Sequence, residues 1–136
     1  MIKFNNYLYM PSSVLLIDDG VIDNYIFETL LKRSGKDVVT TVCANGKIAI
    51  DKLEELQLTD RAALPEYIIV DLTMPTMNGW EFLNEYQRLG IDPALNSKVY
   101  VITSSVFESD YNRSQDYPFV TGFISKPISS KILNRI

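Results

Sequence analysis

The sequence predicts an α/β fold: one sheet of five parallel strands with helices on both faces. Three observations carry this. Strand-like and helix-like stretches alternate five times along 136 residues, the order that a parallel sheet with crossover helices requires. Several of the strand-like stretches are short, almost purely apolar runs, as strands buried on both faces are. They also deliver acids, hydroxyls and a lysine at their ends, where open α/β sheets carry their sites.

The first run, SVLLIDD at 13–19, ends on Asp18 and Asp19 and reads as a buried strand. In VIDNYIFETLLKRSG, residues 21–35, Ile22, Ile26 and Leu30 recur at four-residue spacing with Phe27 and Leu31 beside them. That is an apolar helical stripe, predicted to face inward and to stop at Gly35. DVVTTVC at 37–43 is rich in β-branched residues and reads as the second strand. NGKIAIDKLEELQL follows as a helix with Ile48, Ala49, Leu53 and Leu56 as its expected inner face, and TDRAALPE is a connector. YIIV at 67–70 is the third strand, ending on Asp71, and GWEFLNEYQRLG the third helix. KVYVIT at 98–103 is the fourth strand, FESDYNRSQDY a polar helix, FVTGFI the fifth strand and SSKILNRI a short last helix. Right-handed crossovers restrict the remaining topologies to a few.

Composition bounds the function. With 46% hydrophobic and 22% charged residues the chain reads as one globular domain, core about 12–136 with an N-terminal extension at 1–11. A net charge of −4 and the lack of a Lys/Arg cluster argue against a nucleic-acid partner. LKRSGK is the densest basic stretch and reads as a helix C-terminus. No run approaches the roughly 18 apolar residues of a membrane span, and the broken apolar run at the N-terminus does not read as a secretion signal. A cytoplasmic protein without membrane contact is expected. The single cysteine, Cys43, allows neither an internal disulfide nor a cysteine zinc site and reads as a small buried hydrophobe. Histidine is absent, which excludes a Ser-His-Asp triad, a histidine general base and an internal phosphohistidine.

The predicted strand ends therefore carry Asp18 and Asp19, Asp71, Thr103 followed by Ser104 and Ser105, and Lys126. Each alone has an ordinary explanation. A strand-end Asp is commonly a helix cap, and TSS is turn chemistry. Together they meet at one rim, and clustered carboxylates repel by roughly 1 kcal/mol per pair at 4 Å in water and about 4 at an effective dielectric of 20. A cation among them removes that cost. Oxygen donors without His or Cys select a hard ion, Mg²⁺ foremost, and Mg²⁺ held by a few carboxylates suits phosphoryl chemistry.

The acidic pair Asp18-Asp19, the run DLTMPTMNG from Asp71 to Gly79, Thr103 after an apolar strand, and Lys126-Pro127 together resemble a response-regulator receiver domain of two-component signalling, over about residues 12–136. The resemblance implies a (βα)5 flavodoxin-like fold with strand order 2-1-3-4-5. It implies that Asp71 accepts a phosphoryl group from a phosphohistidine on a sensor histidine kinase or a histidine phosphotransfer protein. Asp19 and Asp71 would bind Mg²⁺ directly, the backbone carbonyl of Thr73 would be a third ligand, and Asp18 would act mainly through a metal-bound water. Lys126 and Thr103 would contact the phosphoryl oxygens. Thr103 and a strand-five aromatic, here Phe123, would form the switch, with Phe123 lacking the hydroxyl that many receivers carry.

The resemblance also implies a cis Lys126-Pro127 bond, a loop shaped by Met74-Pro75, and chemistry limited to the chain's own phosphorylation and dephosphorylation. Gly20, where relatives often have a polar residue, is expected to loosen the turn into the first helix. Trp80 reads as packing at the base of the third helix, with a partner-facing role as the alternative. If 136 residues is the full product, it is a stand-alone receiver whose output runs through an unknown downstream protein, as monomer or weak homodimer. The short last helix makes a dimer through that face less secure. Two other readings stand beside this one. A receiver-shaped interaction module that is never phosphorylated usually lacks one of the five residues kept here. A Mg²⁺ phosphohydrolase with an aspartyl nucleophile usually carries a second acid where this chain has Thr73.

Overall fold

The computed structural model describes residues 12–105 and 107–134. Its strands are β1 (Ser12–Ile17), β2 (Val38–Cys43), β3 (Tyr67–Asp71), β4 (Lys98–Thr103) and β5 (Val120–Ser125). Its helices are α1 (Val21–Arg33), α2 (Gly46–Thr59), α3 (Gly79–Arg88), α4 (Glu108–Ser114) and α5 (Ser130–Leu133), with one 3₁₀ turn at Arg61–Ala63. All strand pairs are parallel and the order is β2-β1-β3-β4-β5, as expected. The expected N-terminal extension, 1–11, lies outside the described residues.

Alternation along the strands divides the core in two. Leu15, Ile17, Ile68, Val70, Val99 and Val101 face α2 and α3, where Ala49, Leu53, Phe82, Leu83 and Tyr86 pack on them. Val14, Leu16, Ile69, Ile102 and Ile124 face the other way, under Phe27 and Leu31 of α1 and Leu133 of α5. Central β1 and β3 are apolar because both their sides are covered. Edge strand β2 has only its last residue, Cys43, buried, and burial raises the Cys43 pKa, which fits a packing residue.

Two helix faces differ from the expected ones. In α1, Phe27 and Leu31 are buried, whereas Ile22 is 75% and Ile26 44% exposed. In α2, Gly46, Ala49, Ile50 and Leu53 point inward and Ile48 is exposed. The cause is helical phase. Each helix carries more apolar residues than one face can bury, and the row that fits the sheet surface is chosen by packing.

Helix ends are signalled locally. Asn78 and Glu81 form a reciprocal capping box on α3, Asn45 caps α2 through the Ile48 N–H, and α1 gives way to Gly35 at a φ of 74°.

Candidate functional site

Register places the acids side by side. Ile17 pairs with Val70, so Asp18 and Asp71 come next on neighbouring strands. They continue the Leu16 and Ile69 rows, whose side chains face α1 and α5. Asp71 in turn is level with Ile102 of β4, one step before Thr103. Just past the end of β5, Lys126 lies two residues beyond Ile124, and its N–H donates to the Thr103 carbonyl at 2.8 Å. The strand order reverses at β1, so β1 and β3 present their ends at the topological switch point of the sheet.

One carboxylate oxygen from each of Asp18, Asp19 and Asp71 lies within 4.8 Å of the other two. Asp18 and Asp71 are buried, Asp19 exposed. Lys126 bridges them: its Nζ donates to Asp18 Oδ2 at 3.0 Å, to Asp71 Oδ2 at 3.1 Å and to Asp23 Oδ2 at 2.9 Å. The remaining oxygens are held by backbone. The Gly20 N–H donates to Asp18 Oδ1 at 2.8 Å and the Thr73 N–H to Asp71 Oδ1 at 3.1 Å. Asn24 ties α1 to the end of β1 by donating to the Asp18 carbonyl at 2.9 Å.

The electrostatics follow burial first. Desolvation raises the Asp71 pKa above the usual aspartate value, helped by the charge of Asp18 and opposed by the Thr73 N–H and Lys126. Desolvation also pulls Lys126 down, but hydrogen bonds to Asp23 and Asp18 and the charges of Asp71 and Asp18 outweigh it and hold Lys126 above the normal lysine range. The ammonium is therefore fixed in its charged form among acids that repel one another. This is the setting for an additional hard cation: carboxylate oxygens only, an excess of negative charge, and one exposed member, Asp19, on the solvent side. The residues present fit Mg²⁺.

Thr103 is 1% exposed. Its Oγ1 accepts from the Ser105 N–H at 3.0 Å, which leaves the hydroxyl proton to donate elsewhere. The Ser105 hydroxyl donates to Asp110 at 2.5 Å, linking this loop to α4. Phe123 is half-buried and meets Tyr111 of α4 edge to face, centroids 5.7 Å apart. The Lys126-Pro127 bond is cis. Trp80 is half-buried, stacked on Tyr117 at 6.1 Å with the Arg113 guanidinium 4.3 Å from its centroid, a packing role beside α4. Gly20 has an ordinary extended conformation with φ at −79°, and its missing side chain leaves room for two carboxylates. A Cβ there would lie 3.2 Å from Asp18 Oδ1 and 3.3 Å from Asp23 Oδ2.

The structure thus joins Asp18, Asp71 and Lys126 in one hydrogen-bond network, brings an Asp19 oxygen within 4.8 Å of the other two acids, and sets Thr103 beside them, joined through the Lys126 backbone. It adds Asp23, which sequence reasoning missed. An acid in the first turn of a helix is commonplace, and its only distinguishing signal is the four-residue interval from Asp19 to Asp23.

A family model for the response regulator receiver domain matches residues 14–136. Among curated proteins, the chemotaxis protein CheY of Thermotoga maritima is 30% identical over 95 residues, covering 70% of this chain and 69% of that protein. The sensor histidine kinase CheAY of Helicobacter pylori is 31% identical over 123 residues, 90% of this chain but 14% of that protein. The chain spans only 8% of a hybrid signal transduction histidine kinase I of Dictyostelium discoideum and 27% of a protein-glutamate methylesterase/protein-glutamine glutaminase of Treponema pallidum. Among solved structures, a two-component response regulator of Cytophaga hutchinsonii superposes with a TM-score of 0.81 at 31% identity, covering 93% of this chain and 94% of that one. The phosphorylated cyanobacterial phytochrome response regulator RcpA gives 0.75 at 25% identity, covering 93% and 89%. On its fold, its strand-end acids and these likenesses, the chain belongs to the response regulator receiver domain family.

Proposed function

We propose that the protein is a phosphoacceptor of a two-component system or phosphorelay, with Asp71 as the residue modified. The observation that carries this is the Lys126 ammonium held at 3.0 and 3.1 Å from Asp18 and Asp71 inside a rim of three acids. An oxygen of Asp71 attacks the phosphorus of a phosphohistidine on a sensor histidine kinase or histidine phosphotransfer protein. The P–O bond forms, the P–N bond breaks, and the imidazole leaves with the electron pair. Lys126 supplies positive charge to the phosphoryl oxygens, and Thr103 donates its hydroxyl to one of them. Asp19, Asp71 and the Thr73 carbonyl would hold Mg²⁺, with Asp18 acting mainly through a metal-bound water, and the ion would supply positive charge to offset that on the transferring group. The chain acts only on its own phosphorylation and dephosphorylation, and its product is a signalling state rather than a released compound.

The output is a changed surface. Phosphorylation adds roughly −1.5 to −2 charge, and Thr103 is joined to α4 through Ser105 and Asp110. Phe123, edge-on to Tyr111 of the same helix, is the aromatic that moves with it. A downstream protein reads that surface, in the cytoplasm and without nucleic acid or membrane, with the receiver as monomer or weak homodimer. Among the described residues no helix is long and apolar enough to cross a membrane.

Intact mass in the presence of Mg²⁺ and acetyl phosphate tests the reading. One phosphoryl group should be added to the wild type and none to Asp71→Asn. No addition to the wild type would leave an interaction module, and continuous hydrolysis of the donor without a stoichiometric adduct would make the chain a phosphohydrolase.

A further inference from the structure

We propose that Asp23 is a positioning residue that holds Lys126 in the unmodified protein and releases it when an anionic group is seated on Asp71. The inference rests on the phosphoacceptor reading above. An ammonium has three protons, and Lys126 donates to three carboxylates, Asp18, Asp23 and Asp71. A phosphoryl group on Asp71 esterifies that carboxylate and, with its larger charge, competes with Asp18 and Asp23 for the ammonium, so one of these two gives way.

Exposure decides which. The side chains of Asp18 and Asp71 are 4% and 8% exposed, that of Asp23 50%. A buried carboxylate that loses its countercharge stays desolvated, whereas Asp23 is rehydrated at once. Asp23 therefore leaves. It stands on the third residue of α1, so its release removes the ion pair that joins the first turn of that helix to the end of β5. Gly20 is part of the same arrangement, since any Cβ there would crowd the oxygens of both Asp18 and Asp23.

Asp23 acts in the opposite sense on the cation. Lys126 and a metal ion compete for the oxygens of Asp18 and Asp71. Asp23 offers Lys126 an alternative partner and adds negative charge close by, so it favours metal loading while opposing the anion. Removing its charge must then shift the two ligands in opposite directions, which damage to α1 cannot do.

The test uses the full chain with Mg²⁺ and beryllofluoride, followed by amide resonances in two titrations. In Asp23→Asn, the beryllofluoride midpoint at saturating Mg²⁺ should fall about two- to fivefold, the range that a partly exposed charge pair is worth. The Mg²⁺ midpoint without beryllofluoride should rise by a similar factor. Asp23→Ser, which also removes the charge, should behave alike, and thermal melting separately reads any loss of helix stability. Both midpoints rising together, or an unchanged beryllofluoride midpoint, would overturn the role of Asp23. A wild type that binds no beryllofluoride with Mg²⁺ would instead overturn the phosphoacceptor reading beneath it.

Discussion

Without the Lys126 ammonium, Asp18 and Asp71 would face each other across neighbouring strands with no countercharge inside the protein. Both are buried, so water cannot replace what the lysine supplies. Lys126→Met keeps the stem and removes the charge. It should lower stability by about 1–3 kcal/mol in metal-free buffer, and saturating Mg²⁺ should recover most of the loss by restoring positive charge. Thermal melts of both proteins with and without Mg²⁺ read this, and an equal deficit in the two buffers would mean that the lysine matters through packing alone. The residues singled out by sequence reasoning owe their legibility to position: each stands at or just past an apolar run. Asp23 had no such marker, because its partner lies 103 residues away and the direction of a first-turn side chain depends on how the helix docks.

At the scale of elements, the step from β3 into α3 tolerates little change. A Cβ on Gly79 would lie 2.5 Å from the Asp71 carbonyl oxygen and 2.7 Å from the Leu72 Cα, both main-chain atoms that cannot swing aside. Gly79→Ala should therefore cost more than about 2 kcal/mol, as overpacking against a fixed wall does, and should also impair Asp71 by shifting the strand end that carries it. Asn78→Ala removes only the capping box and should cost about 1 kcal/mol. Urea midpoints of the two variants give the ranking, and an Asn78 variant weaker than the Gly79 one would refute it. In sequence Asn78-Gly79 reads as a turn with Gly79 opening the helix, and the reciprocal cap with Glu81 emerged only from the structure. The inner faces of α1 and α2 were not legible either: both helices show two competing apolar rows, and the exposed Val21, Ile22 and Tyr25 of α1 are indistinguishable in sequence from core residues.

For the molecule as a whole, the alkaline limit of stability is set partly by Tyr86, buried between the sheet and α3 against Phe82 and Phe119. Burial, reinforced by the nearby charge of Asp92, raises its phenol pKa above the ordinary value. A tyrosine in the unfolded chain ionises near pH 10, so above that pH the unfolded state holds fewer protons and stability falls as pH rises. The Tyr86 contribution is thus complete below about pH 10 and is lost beyond it, in the same sense as that of Lys126, whose pKa is also raised. Urea midpoints between about pH 8 and 11 should decline less steeply for Tyr86→Phe than for the wild type, and identical slopes would refute the assignment. On this scale the sequence by itself determined the β-α alternation and the chemistry available at the strand ends, because periods of 2 and 3.6 residues and the residue after each apolar run are local properties. Only the tertiary structure decided which row of each helix is buried, which carboxylate oxygens the ammonium takes, and that an acid on α1 shares it. Those outcomes depend on distances between segments far apart in the chain, fixed by the parallel register of the sheet and the docking of α1 upon it.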